Sequence, residues 1–116
     1  MQILYLDQNK WIQLSRIIHG KETNTDLLNL AKKLHLLVDK GNLIIPLSEI
    51  HYMETSRISN SKRRARLGRV MWDLSRGASI ASQRVIVEHE LSCALTKYYP
   101  HIVSGDLQLI GHGIAH

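Results

Sequence analysis

Two short, wholly apolar runs, each followed by polar residues and then by a helical pattern, constrain the fold of this chain more than any other feature. The first run is Ile3–Leu6 and the second is Leu43–Leu47. Such a run is typical of a strand that is buried on both faces, as in a parallel sheet. Pro46 lacks a backbone donor and therefore fits the end of the second strand.

Helical patterns separate and follow these strands. Residues 11–18 show the apolar spacing of one helix face, and residues 27–38 repeat apolar side chains at three- and four-residue steps. Gly41 supplies the left-handed residue that ends the second helix, and Ser48 is a candidate N-cap for a third helix over residues 49–56. The order strand, helix, helix, strand, helix predicts an α/β fold with a short parallel sheet and helical crossovers.

The second half of the chain is predicted to be mainly helical. A basic helix spans about residues 62–75, and a further helix runs from Ser79 or Ser82 to about Thr96. The expected buried side chains of these two helices are Leu67, Val70, Met71 and Leu74, then Val85, Ile86, Leu91 and Leu95. Residues 102–116 contain three glycines among apolar residues and end without a stop signal. We therefore expect one helix-rich domain over residues 1–116, truncated at its C-terminus.

Composition narrows the class of protein. With 44% hydrophobic residues the chain can form one core. The only cysteine, Cys93, is expected to be a buried small residue, and a single cysteine fits a reducing, cytoplasmic setting. No basic-then-apolar leader and no run of about 18 apolar residues is present, so neither secretion nor a membrane partner is expected.

The positive charge is concentrated in one segment. The whole chain carries +5, whereas residues 57–76 hold seven Lys and Arg and one Asp, a local charge of +6. At about 100° per residue, one face of the basic helix collects Lys62, Arg66 and Arg69, with Arg63 beside it. These four residues are candidates for holding nucleic-acid phosphates, against the alternative of a solvated helix face. Trp11 and Trp72 are expected in the core, because both lie within apolar periodicity.

Carboxylates follow both predicted strands. Asp7 stands where the first strand ends, and Glu54 lies on the helix that leaves the second strand. Parallel neighbours bring their carboxyl ends side by side, about 4.8 Å apart, so these two side chains can converge. Asp7 can equally be only a helix N-cap, and Glu49 is a competitor that the helix dipole alone would explain.

The same residues carry a resemblance to a known family. Leu4–Ile12, with an apolar strand, Asp-x-Asn and an apolar helix, resembles the opening motif of PIN-domain nucleases. The segment from Leu43 to Glu54, an apolar strand, a Ser and a Glu six residues later, is similar to that family's second motif. The resemblance implies a PIN-like fold and a metal-dependent ribonuclease. Asp7 and Glu54 would bind Mg²⁺ or Mn²⁺, and Asn9 would orient Asp7.

PIN domains also bring a third acid, and often a fourth, from late in the chain. Asp106 is the best match for the third catalytic acid, although the glycines that follow it disfavour a helix. Glu88 and Glu90 are alternatives, and no residue is left for a fourth acid. The resemblance further allows a toxin or phage-defence role with an antitoxin-like protein partner.

Two other hypotheses compete with a nuclease. The chain could be a non-catalytic RNA-binding or assembly module with an incomplete acidic site, or a homo-oligomer whose sheet edge is completed by a second copy. The seven histidines allow the hypothesis of a transition-metal site, formed by His51 with Glu54 or by His112 with His116. No Cys cluster or His-Glu-x-x-His accompanies either pair, so scattered surface histidines are expected.

Overall fold

A computed structural model describes residues 1–21, 23–99 and 107–112 of the chain. The described elements, in chain order, are β1 (Gln2–Ile3), α1 (Gln8–Ile18), α2 (Thr25–Asp39), β2 (Leu43–Ile44), α3 (Glu49–Ser56), α4 (Ser61–Ser75), β3 (Ala78–Ile80), α5 (Gln83–Thr96) and β4 (Ile110–His112). The described part of the chain is therefore helix-rich with two small sheets, a mixed α/β architecture. The expected order of the first five elements is confirmed.

The predicted parallel pairing of the two apolar runs is confirmed. β1 pairs with β2 in parallel, with Gln2 opposite Leu43 and Ile3 opposite Ile44. The regular ladder covers two residues of each run, so both strands are shorter than the apolar runs that predicted them. One further bond extends the pairing, because the Leu4 N–H donates to the Ile44 carbonyl at 2.9 Å.

Among the residues that the structure describes, Leu47 joins this sheet to the second one. β3 and β4 pair in antiparallel fashion, and Leu47 forms a parallel bridge with Ser79. The Leu47 N–H donates to the Ala78 carbonyl at 3.0 Å, and the Ile80 N–H donates to the Leu47 carbonyl at 2.8 Å. The second apolar run thus continues past Pro46 to contact the later strands.

The expectation that both faces of β1 are buried is wrong. Ile3 is 58% exposed and Tyr5 is 50% exposed, whereas Leu4 and Leu6 pack against the core. Among the described residues, β1 pairs with β2 alone and so forms an edge of the sheet. Its side chains alternate between the core and the surface, as strand geometry requires when one face is covered.

The core lies where α1, α2 and α4 pack against β2 and the segment after it. Its buried side chains are Trp11, Leu14, Ile17, Ala31, Leu43, Ile45, Leu47, Leu67, Val70, Met71 and Leu74. The predicted apolar stripe of α4 is confirmed. The helix begins after Asn60, whose side chain accepts hydrogen bonds from the Lys62 and Arg63 N–H groups at 3.0 and 3.1 Å.

Several predicted burials are wrong. Trp72 is 60% exposed, and its ring lies over Gly77, where a Cβ atom would come within 3.2 Å of it. None of the residues of α5 is buried, so Leu91 and Leu95 are exposed apolar side chains. Cys93 is also exposed. These residues follow the helical periodicity of α4 and α5, but no described element covers the faces on which they lie. Periodicity in the sequence does not show whether another element packs on a helix face.

Two sequence candidates, Asp106 and His116, lie outside the described residues. In the part of the chain that the structure describes, no helix is both long enough and apolar enough to cross a membrane.

Candidate functional site

The structure brings three of the predicted site residues to one cavity at the carboxyl end of β1. Asp7, Asn9 and Glu54 line a cavity of about 260 Å³. The other lining residues are Tyr5, Gln8, Ile50 and His51. The acidic residues reach this place from opposite sides, since Asp7 precedes α1 and Glu54 belongs to α3. The cavity therefore combines the two segments that the sequence singled out.

Asp7 is the N-cap of α1. Its Oδ1 atom accepts a hydrogen bond from the Lys10 N–H at 3.0 Å, which satisfies one of the free donors of the first helical turn. Among the described residues, no hydrogen bond reaches its Oδ2 atom, and none joins Asn9 to Asp7. The cap holds the carboxylate in place, and one oxygen stays available to a ligand. An orienting role for Asn9 stays a prediction.

Glu54 lies in the last two turns of α3. Ser48 is the N-cap of this helix, as expected, and Glu54 is exposed toward the cavity. The competitor Glu49 lies elsewhere, because its Oε2 atom accepts from the Gln83 N–H at 3.4 Å and it does not line the cavity. Of the two acids on α3, only Glu54 shares a cavity with Asp7.

Two hydrogen bonds tie the acidic segments together. On one side of Asp7, the Leu6 carbonyl accepts from Nε2 of His51 at 2.7 Å. On its other side, Nε2 of Gln8 donates to Oγ1 of Thr55 at 3.0 Å. The two partners on α3 lie on either side of Glu54 in sequence. Each carboxylate is therefore flanked by a residue bonded to the opposite segment, which fixes the two segments relative to one another.

His51 is the central residue of this arrangement, and it is 1% exposed. Its Nδ1 accepts from the Ser48 N–H at 2.9 Å, so the proton of the neutral ring is on Nε2, which donates to Leu6. The ring stacks on Tyr5 with centroids 5.2 Å apart and meets the edge of Trp11 at 6.3 Å. The prediction of scattered surface histidines is wrong for this residue.

Burial lowers the pKa of His51 below its ordinary value of 6.5, although the Leu6 carbonyl and the charges of Glu54 and Asp7 act in the opposite direction. Protonation would also place a proton on Nδ1, where the Ser48 N–H already donates. The ring is thus suited to a structural role as a neutral donor and acceptor.

The oxygen donors of the cavity match the preference of Mg²⁺ and Mn²⁺, which take carboxylate and amide oxygens and retain several waters. Among the described residues, no three His, Cys, Asp or Glu side chains form a group that could hold a metal ion. Asp106 lies outside this part of the chain. Glu88 pairs with Arg84 at 3.1 Å on α5, and neither Glu88 nor Glu90 lines the cavity. The fit to a metal therefore rests on two carboxylates, with Asn9 beside them.

A second cavity, of about 340 Å³, lies between α1 and α4 and is basic. We call it the basic cleft. Its cationic side chains are Arg16, Lys21, Arg63 and Arg66, and His19 also lines it. No acidic residue is among the described lining residues, and none of the described ion pairs involves these four cations. The contribution of α1 and of the segment after it was missed, because Arg16 and Lys21 lie far from the basic segment in sequence.

The predicted phosphate-binding residues are divided by the structure. Arg63 and Arg66 line the basic cleft, whereas Lys62 and Arg69 do not. Nε of Arg69 instead lies 3.6 Å from the carboxylate of Asp73, one turn further along the helix. Arg64 is also engaged elsewhere, since it donates to the Ile58 carbonyl at 2.7 Å.

Comparison of the chain with protein-family models, with curated proteins and with solved structures finds no match. The functional conclusions below therefore depend on the residues and their geometry.

Proposed function

We propose that this chain is a PIN-like, metal-dependent endoribonuclease that hydrolyses RNA phosphodiester bonds. The observation that carries the proposal is the shared cavity of Asp7 and Glu54, with Asn9 beside them. The parallel β1–β2 pairing that brings the two motifs together supports the PIN-like part. The basic cleft supports a polyanionic substrate.

In hydrolysis of the phosphodiester, a water oxygen forms a bond to phosphorus while the bond to the leaving ribose oxygen breaks, and that oxygen takes up a proton. Asp7 and Glu54 would hold Mg²⁺ or Mn²⁺, which when bound supplies charge neutralisation at the phosphate and activation of the water. The chain's own part is to fix the two carboxylates. The Lys10 N–H holds Asp7, while the His51–Leu6 and Gln8–Thr55 bonds hold α3 against the end of β1.

The test is cleavage of single-stranded RNA in the presence of Mn²⁺ or Mg²⁺. We expect Asp7→Asn and Glu54→Gln each to lower kcat/KM by about 100-fold or more, since even groups behind metal ligands contribute about 10–100-fold. Glu49→Gln is the matched control, because it removes the same charge from the same helix outside the cavity. We expect that variant to stay within about threefold of the wild type.

Equal activity in the wild type and Asp7→Asn would remove Asp7 from the reaction. Absence of metal-dependent cleavage by the wild type would overturn the nuclease proposal.

A second candidate function is a non-catalytic RNA-binding module, and one observation favours it. Among the described residues, two carboxylates line the cavity, and no group of three His, Cys, Asp or Glu side chains could hold a metal ion. This candidate predicts salt-sensitive RNA binding that is insensitive to metal and unchanged in Asp7→Asn, without cleavage.

A further inference from the structure

The acidic cavity and the basic cleft are connected along one helix. A third cavity, of about 260 Å³, is lined by Asn9, Ile12, Gln13 and Arg16 of α1. It shares Asn9 with the acidic cavity and shares Ile12 and Arg16 with the basic cleft. The three cavities therefore adjoin one another in a row along α1, and we call this row the depression.

We infer that this depression is the binding path of a single RNA strand, which lies along α1 from the acidic cavity to the basic cleft. The inference rests on the proposed function for its choice of RNA as the polyanion. It adds the course of the strand over the protein surface, and it adds Arg16 and Lys21 to the residues that bind phosphate.

The charges and walls of the basic cleft suit a phosphate backbone. Three arginines on α1 and α4, with Lys21 from the segment after α1, line a cavity whose walls include Ile12, Ile58 and Leu67. Low-dielectric walls strengthen the field of such charges. Guanidinium groups donate in a planar fork that matches phosphate oxygens. No ion pair of the described residues involves these cations, so an incoming phosphate displaces none of the described carboxylates.

The length of the path argues for a strand rather than a single small anion. Asp7 and His19 are twelve residues apart, about 18 Å at 1.5 Å of helix rise per residue. That length holds about five stacked nucleotides at about 3.4 Å each. A free phosphate or a mononucleotide would occupy only one part of it.

Tyr5 provides a place for a base at the acidic end. The Tyr5 side chain is half exposed, and its ring stacks on His51. Its hydroxyl lies 3.3 Å from Oγ of Ser48. A ring held in this way is a platform on which a base of any identity can stack. The strand is thus bound through backbone charge and stacking, without reading of sequence.

The experiment measures binding of a labelled ten-nucleotide RNA by fluorescence anisotropy in EDTA, which separates binding from metal-dependent cleavage. We expect Arg63→Ala/Arg66→Ala and Arg16→Ala/Lys21→Ala each to weaken binding by about 10-fold or more. Four phosphate contacts predict a slope of log affinity against log salt of about −2.8, and removal of two cations reduces its magnitude by about 1.4. Circular dichroism establishes that each variant is folded.

Lys62→Ala/Arg69→Ala is the matched control. It removes the same charge from the same helix, outside the cleft, and we expect a loss of at most about threefold. Equal losses in the control and in the cleft variants would overturn the path. So would equal affinity for a dinucleotide and the ten-nucleotide RNA, which would indicate a site for a small anion. Tyr5→Phe should retain binding and Tyr5→Ala should weaken it, and equal binding by both would remove the base platform.

The two proposals fail in different ways. If the wild type binds RNA through the cleft but never cleaves it with metal, the nuclease proposal fails and the path stands. If metal-dependent cleavage requires Asp7 but the cleft variants bind RNA no worse than the control, the path fails and the nuclease stands.

Discussion

Nε2 of His51 donates to the Leu6 carbonyl across 2.7 Å, and this bond joins the residue before Asp7 to the helix that carries Glu54. The Ser48 N–H donates to Nδ1 of the same ring at 2.9 Å. A neutral imidazole has one donor and one acceptor, and both are used here. His51 therefore positions both carboxylates without belonging to the predicted metal ligands.

His51→Ala should destabilise the fold by about 2–5 kcal/mol, because it leaves two part-buried backbone groups without their His51 partner and opens a cavity beneath Tyr5. His51→Gln retains an acceptor and a donor on a similar stem, and its cost should be below about 1.5 kcal/mol. Urea unfolding followed by circular dichroism measures both. Equal losses for the two variants would show that ring packing, and not the pair of hydrogen bonds, accounts for the stabilisation.

The stability should depend on pH through the same ring. Because the pKa of His51 is lowered in the folded state, the unfolded chain binds more protons as pH falls through about 6.5, and the free energy of unfolding falls with it. This contribution is complete above the unfolded pKa and is lost toward the folded pKa. His51→Gln should flatten the dependence between pH 7 and 5, measured by urea unfolding at each pH.

Asp7 should show separable roles in stability and chemistry. Asp7→Ala removes the N-cap of α1 and should cost about 1 kcal/mol, whereas Asp7→Asn should cost only a few tenths, because Asn caps helices about as well as Asp. Thermal unfolding measures the difference. A cost for Asp7→Asn as large as that for Asp7→Ala would mean that the charge, and not the cap, stabilises the helix.

Thr55→Val should destabilise the fold by about 1–3 kcal/mol, since it keeps the shape of the side chain but leaves the buried Gln8 amide without its acceptor. The hydroxyl of Thr55 also donates to Sδ of Met71 at 3.4 Å. Thr96→Val is the control, because the described hydrogen bonds of Oγ1 of Thr96 go to carbonyls of its own helix. If the two variants lose the same stability in urea, the Gln8–Thr55 bond does not hold α3 in place.

The two tryptophans should differ in how much each contributes to the free energy of unfolding. Trp11 is fully buried and Trp72 is 60% exposed, so Trp11→Ala should cost about 3–5 kcal/mol and Trp72→Ala less than about 1.5 kcal/mol. Fluorescence of the two single-tryptophan proteins offers a second measurement, with quenching by iodide confined to Trp72. Equal quenching of both would contradict the placement of Trp11 in the core.

Features encoded by neighbouring residues could be predicted from the sequence. Asn60, Ser48 and Asp7 begin helices because their side chains or backbone suit a first turn, and such caps need no information about distant segments. The pairing of the two apolar runs could also be predicted, since both precede helices and need partners for their backbone groups. The shared cavity of Asp7 and Glu54 follows from that pairing.

The remaining features depend on contacts between distant segments. Periodicity places Trp72 and Leu91 on apolar faces, but it does not say whether another element covers those faces. The Gln8–Thr55 bond leaves no mark in the sequence. His51 does leave one, because it stands three residues after the N-cap Ser48, where Glu or Gln usually accepts the cap N–H. The contribution of Arg16 and Lys21 to the basic cleft depends on the packing of α1 against α4, which the sequence does not indicate.

α1 rises by about 1.5 Å per residue, and this fixed spacing has a consequence for any strand that lies along the helix. A helix does not stretch, so the distance between Asp7 and Arg16 is set by the number of residues between them. The length of α1 would then fix the distance between the cleavage site and the bound phosphates. RNA cleavage would therefore fall at a constant number of nucleotides from those phosphates. Inserting one alanine after Gln13 would turn Arg16 by about 100° and advance it by about 1.5 Å. Arg16 would then no longer lie at the same position relative to Asp7.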